Sequence, residues 1–202
     1  QLDFACPPGR YPDPGYVDTA GNLHERAIHC ITGAGIARGT GPGRYSPDMP
    51  VSRAQMATFI ARFAVAAGRP LPPGPDAFDD DNGSQHEAAI NSLAAAGIAT
   101  GVGQRQYAPE RPVNRGQMAA FIARSIATVT GRPVTNLDGQ FAFDDTAGTP
   151  FHFDIDGLAD RGVVVGRAPR FYDVPAVVRR DQMATFIARS LDLLVEHPDA
   201  IP

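Results

Sequence analysis

The sequence contains no lysine, no tryptophan and only two cysteines among its 202 residues. Its 18 basic residues are therefore all arginines and are outnumbered by 22 acidic residues, and the net charge of −4 argues against a strongly basic nucleic-acid-binding protein. No apolar run approaches the length of about 18 residues that indicates a membrane-spanning helix. Cys6 and Cys30 have no CxxC spacing and no clustered histidines, so neither a metal site nor a cofactor is predicted.

One motif occurs three times in this chain. VSRAQMATFIARF at 51–63 returns as VNRGQMAAFIARS at 113–125 and as VRRDQMATFIARS at 178–190. Each copy follows, at matched spacing, an aromatic residue, an aspartate, two glycines and a tyrosine. These positions are Tyr16, Phe78 and Phe143; Asp18, Asp80 and Asp145; Gly35, Gly97 and Gly162; Gly39, Gly101 and Gly166; and Tyr45, Tyr107 and Tyr172. A unit of about fifty residues buries too little core alone, so we predict one assembly of three units.

Each unit is predicted to contain two helices, which makes the fold class all-α. Apolar residues at helical spacing predict a first helix over Leu23–Ala34, and Gly35 suits the left-handed position that follows a helix. The second helix carries the repeated motif and begins with a capping box in two of the three copies. The boxes are Ser52 with Gln55 and Asn114 with Gln117, whereas Arg179 takes the cap position in the third copy. The apolar stripe Met56, Phe59, Ile60 and Phe63 predicts a central seam between the second helices.

The same signals predict the organisation of the whole chain. It comprises an N-terminal arm (1–15), a first unit (16–67), a proline-rich linker (68–77), a second unit (78–129), a linker (130–142), a third unit (143–196) and a tail (197–202). The arm has neither the basic nor the apolar region of an export signal, so any such signal has been removed or lies outside this sequence. A Cys6–Cys30 disulfide would hold the arm on the first helix and imply an oxidising compartment, and two separate thiols are the alternative.

The combined pattern resembles a known family. Over residues 16–191 it is similar to the S-layer homology repeat of bacterial cell-surface proteins, and the third unit is the weakest match. The shared pattern is F-x-D…H-x-x-A-I…L-x-x-x-G-I-x-x-G…Y-x-P…V-x-R-x-Q-M-x-x-F-I-x-R. The resemblance implies a pseudo-threefold spindle with a central three-helix bundle. It also implies an extracellular domain of the cell wall or S-layer, which binds secondary cell-wall polysaccharide, often carrying a pyruvate ketal, in the grooves between units.

The resemblance places candidate polysaccharide-binding residues at the start of the second helices. The family's T-R-A-E motif reads SRAQ, NRGQ and RRDQ here, which singles out Arg53, Arg115 and Arg180 and also Gln55, Gln117 and Gln182. A guanidinium can bind a ketal carboxylate through two charge-assisted hydrogen bonds, although packing against a neighbouring unit or exposure to water is the alternative. Replacement of Glu by Gln removes a charge that could pair with the arginine. Because Asp181 offsets the charge of Arg179, we expect one or two working grooves.

Two further sets of residues are candidates with open alternatives. Gly39, Gly101 and Gly166 could let a sugar approach the backbone, or could serve only to turn the loop. Tyr45, Tyr107 and Tyr172 could stack on a sugar, or could pack within their own units. The acidic loop at 79–83 lacks the downstream glutamate of a calcium-binding EF-hand, and helix capping explains it equally well.

No arrangement of residues indicates catalysis, since the chain lacks a G-x-S-x-G motif, paired carboxylates on one element and metal-spaced histidines. We therefore predict a protein without enzymatic activity that anchors itself, or a larger protein, to the wall without a covalent bond. The predicted partner is cell-wall polysaccharide. A module that docks other surface-protein domains without binding glycan is the alternative, because a fold alone does not fix a function.

Overall fold

The computed structural model of the protein describes residues 2–134 and 142–196. Six α-helices lie in these ranges: α1 (Glu25–Gly33), α2 (Arg53–Ala66), α3 (Glu87–Ala95), α4 (Arg115–Thr130), α5 (His152–Asp160) and α6 (Arg180–Glu196). The described ranges contain no strand beyond isolated bridges, which confirms the all-α class. No described helix is long and apolar enough to cross a membrane. Residue 1, positions 135–141 of the predicted second linker and the predicted tail at 197–202 lie outside the described residues.

The second helices begin as their cap residues dictate. Ser52 and Gln55 form a complete capping box at α2, and Asn114 with Gln117 forms the same box at α4, so both predictions are confirmed. At α6 half of the box survives, because the backbone N–H of Arg179 donates to Oε1 of Gln182 (3.2 Å). The side chain of Asp181 replaces the missing cap oxygen and accepts from the backbone N–H of Gln182 (2.7 Å).

The first helices end as predicted, but α1 begins later than predicted. Gly35, Gly97 and Gly162 all have positive φ angles, of 74°, 69° and 69°, in the left-handed region that ends a helix at low steric cost. The predicted start at Leu23 is wrong, because His24 is the N-cap and α1 begins at Glu25. Leu23 therefore precedes the first turn and is 93% exposed rather than part of the buried face.

The helices of neighbouring units pack in a cyclic order. The first helix of one unit lies on the second helix of the preceding unit, so α3 packs on α2 and α5 packs on α4. Helix α1 of the first unit packs in the same way on α6 of the third unit. Helix α4 contacts both α2 and α6. The predicted stripe is buried at this seam in α2, where Met56, Phe59, Ile60 and Phe63 are at most 4% exposed. The spindle shape implied by the resemblance stays a prediction.

Backbone hydrogen bonds close the same cycle just before the second helices. The N–H of Val51 donates to the carbonyl of Val178 (3.0 Å), Val178 donates to Val113 (2.9 Å), and Val113 donates back to Val51 (2.9 Å). All three valines are almost completely buried. Because each bond joins a different pair of units, the first and third units are joined as directly as units that are adjacent in sequence.

The N-terminal arm is attached to both the first and the third unit. Cys6 and Cys30 form a disulfide with a Cα–Cα distance of 5.6 Å, so the predicted pairing is confirmed. On α6, the buried carboxylate of Asp192 accepts hydrogen bonds from the backbone N–H groups of Phe4 (2.8 Å) and Ala5 (2.7 Å). The arm therefore reinforces the contact between α1 and α6.

One carboxylate in the second unit is buried without a partner. Asp81 is 1% exposed, and neither of its oxygens has a hydrogen-bond partner among the described residues. The equivalent residues are Thr19 and Thr146, whose hydroxyls donate to the carbonyls of Tyr16 (3.2 Å) and Phe143 (2.9 Å). Burial raises the pKa of Asp81 above the ordinary value of 3.8, because a buried carboxyl favours its neutral form.

Replacing Asp81 with threonine should raise the free energy of unfolding by about 1–3 kcal/mol at pH 7, the cost typical of an unsatisfied buried polar group. The raised pKa means that the folded state keeps a proton which the unfolded chain has lost, so stability falls as the pH rises from about 3.8 through the folded pKa. The gain should therefore be larger at pH 7 than at pH 4, as measured by urea denaturation. Thr19→Asp is the matched reverse variant. Equal gains at both pH values would contradict this assignment.

Candidate functional site

An aspartate in each unit holds the loop between the two helices. Asp80 accepts hydrogen bonds from the backbone N–H groups of Tyr107 (2.7 Å) and Ala108 (2.8 Å). Asp18 and Asp145 accept the same two bonds from their own loops. Ala108 has a positive φ of 59°, a strained conformation for a residue with a Cβ, which these bonds help to stabilise. The aspartate thereby fixes the loop tyrosine against the neighbouring unit.

Each loop tyrosine is paired with an arginine on the second helix of another unit. Arg53 donates from Nε to the carbonyl oxygen of Tyr107 (2.8 Å), and the Tyr107 hydroxyl donates back to the carbonyl oxygen of Arg53 (3.0 Å). The guanidinium carbon lies 4.4 Å from the centre of the Tyr107 ring, within cation–π range. We call this arrangement an Arg–Tyr pair. Two further Arg–Tyr pairs join Arg115 to Tyr172 and Arg180 to Tyr45.

The predicted arginines thus lie between units and are largely enclosed. Arg53, Arg115 and Arg180 are 3–5% exposed, and burial lowers the pKa of each. Besides the tyrosine carbonyl, each guanidinium binds a second loop carbonyl at 2.8–2.9 Å. All three arginines therefore pack against a neighbouring unit, which is the alternative to a ligand contact. A ligand contact through the remaining N–H groups stays a prediction.

The predicted tyrosines and glycines serve the packing of the loops. Tyr45 and Tyr107 are 0% exposed, and a buried ring offers no face to a sugar, so neither belongs to the binding surface proposed below. A Cβ on Gly101 would lie 2.6 Å from the carbonyl oxygen of Gln106 and 2.7 Å from the ring of Phe78. Glycine is therefore needed there because the loop packs tightly on its own aromatic residue. Gly39 and Gly166 are crowded in the same way.

Two grooves between units are lined by equivalent residues. The first, which we call the Arg124 groove, has a volume of about 140 Å³ and is lined by Arg53, Gly101, Gln117, Phe121, Arg124 and Phe151, among others. The second, the Arg189 groove, has a volume of about 410 Å³ and is lined by Arg115, Gly166, Gln182, Phe186, Arg189 and His24, among others. Both grooves lie on a second helix and face the loop of the same unit. The described lining residues of both grooves include arginines but no carboxylate.

Arg124 and Arg189, which together with Arg62 end the three copies of the F-I-x-R motif, are functional candidates that the sequence alone did not single out. Arg124 is half-buried and donates from Nη1 to the carbonyl of Ile98 (3.3 Å). Arg189 is also half-buried, and burial lowers its pKa, but its side chain has no hydrogen bond or ion pair within the described part of the chain. Both arginines stand at the same position of the repeated motif, and this repetition is the sequence signal that could have identified them. Arg189 is a partly desolvated cation with free donors, the condition in which an anion binds well.

The glutamines of the capping boxes also suit an anionic ligand. Gln117 uses Oε1 to accept from the backbone N–H of Asn114 (3.2 Å), and Gln182 makes the same bond to Arg179. The remaining polar group of each side chain is the NH₂, which only donates. A glutamate at either position would place a negative charge in the groove, so glutamine makes both grooves more favourable to anions.

The two grooves differ in the residue that opens the neighbouring first helix. In the Arg189 groove, Nδ1 of His24 lies 2.7 Å from the hydroxyl of Thr185, and burial lowers the pKa of His24, which favours the neutral ring. In the Arg124 groove, Phe151 takes the position of His24 and Ala120 takes the position of Thr185. A Cβ on Gly116 would lie 2.5 Å from the Phe151 ring. The large phenyl ring therefore requires glycine beside it, and it takes up space that the Arg189 groove leaves open.

Comparison with known proteins agrees with this architecture. The sequence profile of the S-layer homology domain matches residues 21–57 and 77–119. A protein of Bacillus anthracis described as an uncharacterized cell wall amidase is 28% identical over 112 residues, which make up 55% of this chain. The matched region spans 21% of that relative's length. Residues 21–57 and 77–119, in the first two units, are therefore identified as matches to the S-layer homology domain.

Proposed function

We propose that this domain attaches its protein non-covalently to the bacterial cell wall by binding an anionic wall polysaccharide in the grooves between units. The observation that carries the proposal is the repeated groove, lined by arginines and a glutamine NH₂ with no carboxylate among its described residues. The match of residues 21–57 and 77–119 to the S-layer homology domain and the likeness to a protein described as an uncharacterized cell wall amidase support the location. The role is binding, and no reaction is proposed.

The groove chemistry favours a carboxylate on a sugar. Arg124 and Arg189 each present a planar guanidinium that matches the two oxygens of a carboxylate. Phe121 and Phe186 line the same two grooves, where their rings adjoin the guanidinium groups of Arg53 and Arg115. A pyruvate ketal combines a carboxylate with a methyl group, so it fits a site in which arginines adjoin apolar side chains. We propose this class of modified polysaccharide as the ligand.

Replacing Arg124 and Arg189 with glutamine should weaken wall binding, because hydrogen bonds from a charged donor contribute about 1.5–3 kcal/mol each. Each single variant should lose about tenfold in affinity and the double variant about a hundredfold, since the two grooves lie apart. The measurement is co-sedimentation of the purified protein with cell walls of its own source. Arg111→Gln, at an exposed loop position, is the control.

The ligand class is tested on the same walls after mild acid removal of ketal groups. Binding that is lost with the ketals, and lost in the double variant, supports carboxylate recognition in the grooves. Undiminished binding of the double variant would overturn the groove assignment. Retention on a purified surface-protein domain, with no binding to walls, would favour the protein-docking alternative.

A further inference from the structure

The N-terminal arm forms part of the Arg189 groove. Leu2 lines this groove and is only 9% exposed. Leu23, which is 93% exposed, and Val165, which is 52% exposed, line the same groove. Three aliphatic side chains from the arm, the first unit and the third unit therefore share one groove with the guanidinium of Arg189, which has no partner in ranges 2–134 and 142–196.

Three sets of contacts hold Leu2 in this place. Asp192 on α6 accepts hydrogen bonds from backbone N–H groups at positions 3–5. Arg26 on α1 donates from Nη2 to the carbonyl oxygens of Leu2 and Cys6. The disulfide to Cys30 is the only covalent cross-link among these contacts. The arm is therefore attached at Cys6 by a covalent bond and at positions 2–5 by hydrogen bonds and by the apolar packing of Leu2 and Ala5.

The Arg124 groove has no counterpart to the arm among its described lining residues. It is also smaller, at about 140 Å³ against 410 Å³, and Phe151 occupies part of it. Its arginine donates to the carbonyl of Ile98, whereas the Arg189 guanidinium has no hydrogen bond or ion pair to any residue that the structure describes. The two grooves share their cationic residues but differ in their apolar surroundings.

We propose that the disulfide-held arm is a ligand-contacting wall of the Arg189 groove, which makes this groove selective for anionic sugars that carry an apolar substituent and makes that selectivity depend on the Cys6–Cys30 bond. The inference rests on the proposed function. Arg189 binds the anionic group, and Leu2 covers the apolar substituent. Reduction leaves the arm held by non-covalent contacts alone, so Leu2 leaves the groove for part of the time and the substituent meets water.

The test uses ¹⁵N-labelled protein and two small anionic sugars. One is a methyl mannoside with a 4,6-linked pyruvate ketal, which has an apolar methyl group, and the other is methyl glucuronide, which has none. The backbone amides of Gly166 and Gly101 occupy equivalent positions in the Arg189 and Arg124 grooves, so each reports the affinity of its own groove. We expect the oxidised protein to prefer the ketal by about tenfold at Gly166, the discrimination typical of one additional apolar group in a pocket.

After reduction of the disulfide with a phosphine, the ratio of the affinities for the two sugars at Gly166 should fall to about one. The affinities reported by Gly101 should not change. Leu2→Ser should have the same effect with the disulfide intact, which keeps the test valid if reduction loosens the fold. Far-ultraviolet circular dichroism verifies the helix content in each case. In an Arg189→Gln background, reduction should have no further effect on binding at Gly166.

Two results would overturn this inference while leaving the proposed function standing. In one, both sugars bind but the preference at Gly166 survives both reduction and Leu2→Ser. In the other, reduction changes the responses of Gly166 and Gly101 equally. Absence of a saturable response at both glycines, together with failure to sediment with walls, would overturn the proposed function and this inference together.

Discussion

Replacing Arg115 with methionine should lower the free energy of unfolding by about 3 kcal/mol, because hydrogen bonds from a charged donor contribute about 1.5–3 kcal/mol each. Two such bonds are lost, to the carbonyl oxygens of Tyr172 and Val165. Val165 is half exposed, so water can replace its donor, whereas Tyr172 is completely buried and its carbonyl is left unpaired. Methionine keeps the bulk of the side chain and avoids a large cavity.

Urea denaturation followed by circular dichroism measures this change. Arg111→Met, at an exposed loop position, is the matched control and should alter stability by no more than about 0.5 kcal/mol. If Arg115→Met were as stable as that control, the Arg–Tyr pair would not hold the units together and the guanidinium would be free for a ligand. Loss of wall binding in a variant of Arg53 or Arg115 is therefore evidence for ligand contact only when the fold has been measured too.

Removing the disulfide by Cys6→Ala with Cys30→Ala should lower the free energy of unfolding by a similar amount. The cysteines are 24 residues apart in sequence, and a closed loop of this size restricts the unfolded chain by about 3 kcal/mol in the loop-entropy model. Chemical denaturation of the oxidised, reduced and doubly substituted proteins measures the effect. Reduced wild type and the double variant should agree, because both lack the same cross-link.

Asp192→Asn is the control for this second prediction. It weakens the hydrogen bonds that hold positions 3–5 on α6 but keeps the disulfide, so it should cost about 1 kcal/mol, a typical hydrogen-bond contribution. Equal losses in the two variants would contradict a dominant role of the cross-link and would place the stabilisation in the contact between the arm and α6.

Features fixed by local sequence could be predicted here. The capping residues Ser52 and Asn114 begin their helices as expected, because a cap bonds to the backbone three residues away. Gly35 follows a helix in the left-handed conformation for an equally local reason. The start of α1 was placed too early because Leu23 fits the helical spacing, although the chain there still belongs to the preceding turn.

The roles of the arginines and tyrosines could not be read in this way. Arg180 donates to the carbonyl of Tyr45, which is 135 residues away, and no spacing rule links such positions. The repeated motif indicated that Arg180 and Tyr45 are important, but it did not indicate whether their partner is a sugar or a neighbouring unit. Arg189 stands at a repeated position in the sequence, but that it has no partner among the described residues follows only from the three-dimensional structure.

The closed cycle of units has a mechanical consequence. Helix α1 packs on α6, and Asp192 near the end of α6 holds positions 3–5, so both ends of the described chain lie at one edge of the domain. A cargo joined at either end would pull on this same edge, where the arm, α1 and α6 also line the Arg189 groove. The disulfide and Asp192 thus lie where tension would first separate the units.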